Sequence, residues 1–210
     1  MEKELLVTPE ELYYMGRLLQ AKYIDYAYIA AMGDIKQNYS LFEKEALASL
    51  VAAGILLEDF GGNLEVEAEA LSVLRPLFFG EVESSVDICT LGEENTVSVN
   101  KFHFHDGAVT MVSGADGKLS VRAVDQMAIR NFVAEILPQQ YDGVFAAVEG
   151  IDNDKITRYI AVKNIEVGKA ATVKIYIESD GVLYRETAET FESLTRDMFI
   201  DDAYGVAKGV

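Results

Sequence analysis

Apolar residues recur at helical spacing up to about residue 80 and at alternate positions through most of the remainder. Leu12, Met15, Leu19 and Tyr23 fall on one face of a first helix. Its start is written in Thr8-Pro9-Glu10-Glu11: Thr8 caps, Pro9 suits the first helical position, and Glu11 completes a capping box. From Tyr23 to Met32 the chain either extends this helix or forms a short extended segment, and Gly33 ends it. A second capping box, Ser40-Leu41-Phe42-Glu43, predicts a helix to about Ala53, with Phe42, Ala46, Leu47, Leu50 and Val51 buried and Gly54 as a left-handed cap. Ile55-Leu56-Leu57 and Leu64-Glu65-Val66 flank Gly61-Gly62-Asn63 and predict a hairpin. A third helix is expected over about Glu67 to Phe79, kinked or broken at Pro76.

From about Glu81 the apolar period becomes two. Val86, Ile88 and Cys89 read as strand, as do Val97 to Phe104, Val109 to Val112 and Leu119 to Val121. A helix from about Val124 to Leu137 follows, stopped by Pro138. Strand patterns return near Val144 to Val148, Ile156 to Val162, Val173 to Ile177 and Val182 to Tyr184, and a last helix is expected over about Ala188 to Ile200. Asp116-Gly117 and Asp180-Gly181 each lie between two strand patterns that lead to a helix. At the same offset Val109 matches Val173, Met111 matches Ile175 and Leu119 matches Leu183. Two hairpin-plus-helix units of this kind bury their apolar faces by forming one antiparallel sheet with helices on it. The plain alternative is that any two Asp-Gly hairpins look alike. The expectation is a single α+β domain over residues 1–210. Its parts are a helical part with a hairpin (1–80) and two sheet-plus-helix units (81–140 and 141–210).

Composition narrows the function. Half of the residues are hydrophobic, enough for a packed core. The net charge is −17, from 35 acidic and 18 basic side chains. Such a surface repels phosphate backbones and anionic lipid, so neither nucleic acid nor membrane insertion is expected. Cys89 is the only cysteine, which excludes an intramolecular disulfide and agrees with a reducing compartment. No apolar run approaches the ~20 residues that cross a bilayer, and the start of the chain lacks a signal-peptide pattern. The cytoplasm is the expected location.

Catalytic chemistry finds little to rest on. His103 and His105, in Lys101-Phe102-His103-Phe104-His105-Asp106, alternate on a strand, so both imidazoles share a face and, with Asp106, offer a start to a metal site. No third and fourth ligand accompany them. Ser113-Gly114-Ala115-Asp116-Gly117-Lys118 has neither the spacing nor the following Ser/Thr of a phosphate loop, and a hairpin turn is the better reading. The acidic pairs Glu93-Glu94 and Asp201-Asp202 are common in so acidic a chain. Leu41 to Val66 has the outline of a winged helix, but Glu43, Glu45, Glu58, Asp59, Glu65 and Glu67 give it the wrong charge for DNA. Tyr13, Tyr14, Tyr23, Tyr26 and Tyr28 suit a protein interface or the rim of a core equally. No enzyme, no cofactor, no metal and no small-molecule substrate are expected.

The order of these features resembles a known family. Pro9 to Leu12 opens a capped helix, followed by Ala46-Leu47-Ala48-Ser49-Leu50-Val51-Ala52-Ala53-Gly54-Ile55-Leu56. A Gly-containing turn, a leucine-bearing helix ending near Pro76, several strands, an Asp-Gly turn and a helix ending in Leu137-Pro138 complete the series. Over about the first 140 residues this resembles the EspG-like family, the cytosolic chaperones of type VII secretion, and in particular its shorter firmicute relatives. The resemblance implies a central antiparallel sheet with quasi-two-fold symmetry and flanking helical subdomains. It also implies an ATP-independent chaperone or adaptor that keeps a helical secretion substrate soluble. Mycobacterial members bind PE–PPE pairs, whereas firmicute systems are expected to carry WXG-like or LXG-type cargo, so the resemblance implies a helical partner of that kind here. Two other readings remain open: an acidic immunity protein that neutralises a toxin, and a small metal-dependent enzyme using His103 and His105.

Overall fold

The computed structural model describes residues 3–32, 39–115, 117–141, 143 and 147–208. In chain order it contains β1 (Glu4–Val7), α1 (Pro9–Leu18), α2 (Tyr26–Ala30), α3 (Tyr39–Ala52), β2 (Leu56–Glu58), β3 (Leu64–Val66) and α4 (Ala68–Phe79). There follow β4 (Val82–Thr90), β5 (Thr96–His105), β6 (Ala108–Ala115), β7 (Lys118–Val124) and α5 (Gln126–Ile136). The last elements are β8 (Ile156–Glu166), β9 (Thr172–Ser179), β10 (Val182–Glu186), β11 (Phe191–Leu194) and α6 (Arg196–Ala207). Nine strands form one antiparallel sheet in the order β1-β7-β6-β5-β4-β8-β9-β10-β11, and β2 and β3 pair separately. By contacts the chain divides into two compact units, residues 1–80 with 103–123, and residues 81–102 with 124–210.

In the first unit the local signals of the sequence are met by geometry. Thr8 accepts from the Glu11 amide at 3.1 Å, and Glu11 returns a carboxylate to the Thr8 amide at 2.8 Å, so the capping box is formed. Leu12 and Met15 are fully buried beneath it. The helix stops at Leu18 because Gln20 turns left-handed, with φ 55, and the Tyr23–Met32 segment contains its own short helix, capped by Asp25. Gly33 lies outside the described residues. Ser40, expected as a cap, sits inside α3: that helix already includes Tyr39, whose ring packs 5.6 Å from Phe42. At its other end Gly54, at φ +68, donates to Val51 and Ile55 donates to Leu50, a Schellman cap.

Pro76 neither ends nor breaks α4, which runs on to Phe79. An interior proline costs about 3 kcal/mol. Leu77 and Phe78 lie beyond it and are buried, and their burial offsets that loss at about 1.5–3 kcal/mol each. The four-residue β1 was not anticipated. It alternates exposed and buried positions and pairs with β7, Leu5 opposite Val121.

In the second unit β4, β8, β9, β10 and β11 are successive antiparallel neighbours. Residues 144–146 of the strand expected near Val148 lie outside the described residues, and Val148 itself bridges to Phe191. The last helix is corrected: Phe191–Leu194 is extended and pairs with β10, and α6 begins only at Arg196. Thr195, not a residue near Ala188, caps it by accepting from the Met198 amide. The hairpin repeat has a counterpart in the strand bounds. β6 and β9 are both eight residues long and start at 108 and 172, while β7 and β10 start at 118 and 182. Asp180 and Gly181 both have positive φ, as a type I′ turn requires; Gly117 does too, and Asp116 lies outside the described residues.

Candidate functional site

The site begins with the two faces of the sheet in the second unit. Directly opposed residues of antiparallel strands share a face, so register sorts the side chains. One face carries Val86 opposite Val162, Ile88 opposite Ile160, Ile160 opposite Tyr176, and Leu183 opposite Leu194. Helices cover it: Tyr176 meets Phe199 of α6 edge-on with centroids 4.9 Å apart, and Phe102 meets Phe132 of α5 at 5.8 Å. Asp202 ties α6 down, accepting from Lys174, from the Tyr176 hydroxyl at 3.0 Å and from Arg185 at 3.0 Å. A cavity of about 310 Å³ lies beside this cluster, lined by Asn164, Thr172, Lys174, Asp201, Asp202, Gly205 and Val206.

The other face carries Glu83, Ser85, Asp87 and Cys89 of β4, set against Ile165, Lys163, Ala161 and Tyr159 of β8. Val173, Ile175 and Ile177 of β9 continue it. Lys101 of β5 joins through its ion pair to Glu83, and alternation along β5 brings Val99 and Val97 to the same side. Part of this face is open to solvent: Val97 is 71 % exposed, Val99 43 %, Ile165 46 % and Val173 50 %, whereas Ile175 is half-buried and Ile177 buried. A helix of ~10–12 Å diameter covers two to three strands at ~4.8 Å spacing. The face therefore has the width and the apolar content to receive a helix.

At its middle sit four charges. Lys101 Nζ lies 3.0 Å from Glu83 Oε1, and Lys163 Nζ lies 2.5 Å from Asp87 Oδ2. Burial pushes Glu83 up to about 7, with the like charge of Asp87 adding to it. Burial also pulls Lys101 down to about 8, with Lys163 adding to it. Both shifts run toward neutrality although the two groups form an ion pair, so desolvation outweighs their attraction. Lys101→Met alone is expected to cost about 2–3 kcal/mol, because a half-buried carboxylate loses its counter-charge. The double change Glu83→Leu with Lys101→Met is expected to recover most of that loss, as read by urea denaturation.

The residues singled out from sequence go elsewhere. His103 is buried and its Nε2 lies 3.1 Å from the Tyr28 hydroxyl. His105 Nε2 lies 3.5 Å from Asp106, and its ring lies near Phe79. Asp106 and Gly107 both have positive φ and form the turn between β5 and β6. Among the described residues no group of three or more His, Cys, Asp or Glu side chains is placed to hold a metal ion. Asp201 pairs with Arg130, tying α6 to α5, and Asp202 pairs with Lys174 and Arg185, tying α6 to β9 and β10. Ser113 and Gly114 lie in β6 and Lys118 opens β7, so the described residues of this motif open no helix. Of the tyrosines near the start of the chain, Tyr28 is buried and Tyr26 exposed; Tyr13, Tyr14 and Tyr23 are half-buried. The open face itself was not read from sequence. Its signal lies in Tyr159-x-Ala161-x-Lys163-x-Ile165, an outward set that is visible only once Ile160 and Val162 are known to point at the helices.

These elements define an α+β protein built on a large antiparallel sheet, with six α-helices among the described residues. Its fold is EspG-like. The chain matches the Mycobacterium tuberculosis type VII secretion system chaperone EspG5, solved in complex with the PE25-PPE41 dimer, with a TM-score of 0.66. The match covers 98 % of this chain and 95 % of that one, at 10 % sequence identity. No protein-family model matches the sequence, and neither does any curated protein. Among the described residues no helix is long and apolar enough to cross a membrane.

Proposed function

We propose that this chain is a non-enzymatic chaperone or adaptor of a type VII secretion system, one that holds a helical secretion substrate in the cytoplasm before export. The observation that carries the reading is the shared fold, which extends over nearly the whole of both chains and belongs to a chaperone solved with its bound dimer. The open sheet face supports it. A chaperone needs an apolar surface that tolerates water when empty, and paired charges beside the exposed Val97, Val99, Val173 and Ile165 meet that need. The substrate we propose is a WXG-like or LXG-type helical protein, docked with its apolar stripe across β5, β4, β8 and β9.

Co-expression with the helical secretion substrates of the same genome tests the proposal. The expected result is a soluble, stoichiometric complex with one of them, and a substrate that precipitates when expressed alone. Absence of a complex with every such substrate overturns the reading. So does binding confined to a toxin's catalytic domain, which is the behaviour of an immunity protein.

A further inference from the structure

The hairpin of β2 and β3 displays an aromatic ring for which the fold has no use. Phe60, at its tip, is fully exposed at 116 %, and Leu57 beside it is 51 % exposed. The loop is held without either. Asp59 accepts from the Gly61 amide at 2.7 Å, the Asn63 amide at 2.8 Å and the Asn63 side chain at 2.7 Å, and its own amide donates to the Asn63 carbonyl at 3.0 Å. An aromatic ring left in water forgoes roughly 1.5–3 kcal/mol of burial. Presented on a braced turn, it loses little freedom when something covers it. Buried aromatic anchors of this kind dominate protein interfaces.

The surroundings state what would cover it. From Leu56 to Glu69 the chain carries five carboxylates, Glu58, Asp59, Glu65, Glu67 and Glu69, and no lysine or arginine. Glu67 is engaged by Lys3 and by the start of α4, whereas Glu58, Glu65 and Glu69 are exposed. Glu65 stands opposite Leu57 and therefore on its face. A net charge of −17 repels a second copy and an anionic membrane alike. We infer that the β2–β3 hairpin is a second docking surface, whose Phe60 enters an apolar pocket rimmed by lysine or arginine on a partner protein. This surface does not depend on the helical substrate of the sheet face.

The probe is a photoreactive benzoylphenylalanine placed at position 60 of the full chain in its own cells, with position 72 as an exposed control. The expected result is one dominant protein adduct whose cross-linked segment combines apolar residues with Lys or Arg. Its yield falls severalfold between about 0.1 M and 1 M salt, which shortens the Debye length from roughly 10 to 3 Å. With the probe moved to position 57, Phe60→Ser lowers the same adduct about tenfold while leaving thermal stability unchanged. No adduct above the control overturns the inference. An adduct only with lipid or with a second copy also does so, as does one insensitive to salt and to Phe60→Ser.

Discussion

Replacing Gly80 with alanine is expected to cost about 3 kcal/mol or more of folding stability, near the upper end for a single methyl. Gly80 ends α4 with φ −67 and ψ 138, a conformation open to any residue. Its constraint is steric. A Cβ there would press on the carbonyl oxygens of Pro76 and Phe104, the latter at 2.5 Å. Both obstacles are backbone and cannot swing aside, and the Gly80 amide is already tied to Pro76 at 3.0 Å. Gly205→Ala is the matched control, since a Cβ at that helical position meets nothing within 4 Å. It is expected to stabilise by about 0.5–1 kcal/mol through lost backbone freedom in the unfolded chain. Chemical denaturation of the two variants, side by side, reads both effects.

Asp202→Ala is expected to cost about 2–4 kcal/mol, because one carboxylate serves three partners. The Tyr176 ring is fully buried, so its hydroxyl would lose its acceptor, and Lys174 and Arg185 would lose a shared anion. Asp202→Asn keeps an acceptor without the charge and is expected to lose about half as much. The acid limb carries a second signature. Burial pushes the Asp202 carboxyl up, but hydrogen bonds from Lys174, Arg185 and Tyr176 outweigh it and hold the group below its usual value. A depressed carboxyl contributes its full stability above the unfolded value of about 3.9 and loses it as pH falls through the folded one. Stability of the native chain should therefore drop more steeply below pH ~4 than that of Asp202→Asn.

Elements with local causes were legible in the sequence. The Thr8–Glu11 box, the Gly54 cap and the Asp180-Gly181 turn each depend on neighbours a few residues away, and the structure places them as read. What was misread depends on distant pairing. Glu4–Val7 is a strand because Val121 waits opposite Leu5, far along the chain. Phe191–Leu194 is extended because β10 fixes its backbone, although its surroundings carry a helical pattern. The open face was hidden for the same reason. β8 and β9 carry apolar residues at both parities, which alone describes a strand buried on both sides; only the register and the positions of α5 and α6 separate a covered face from an open one. The Glu83–Lys101 pair joins two strands across 18 positions and left no local trace.

Amide hydrogen exchange on the chain, alone and bound to a co-purified helical secretion substrate, tests the central proposal most directly. Slowed exchange is predicted in β8, β9 and the Thr96–Lys101 part of β5, lost together with the complex in Ile165→Asp and Val173→Asp. A complex that leaves those strands unprotected, or that survives both substitutions, would contradict it.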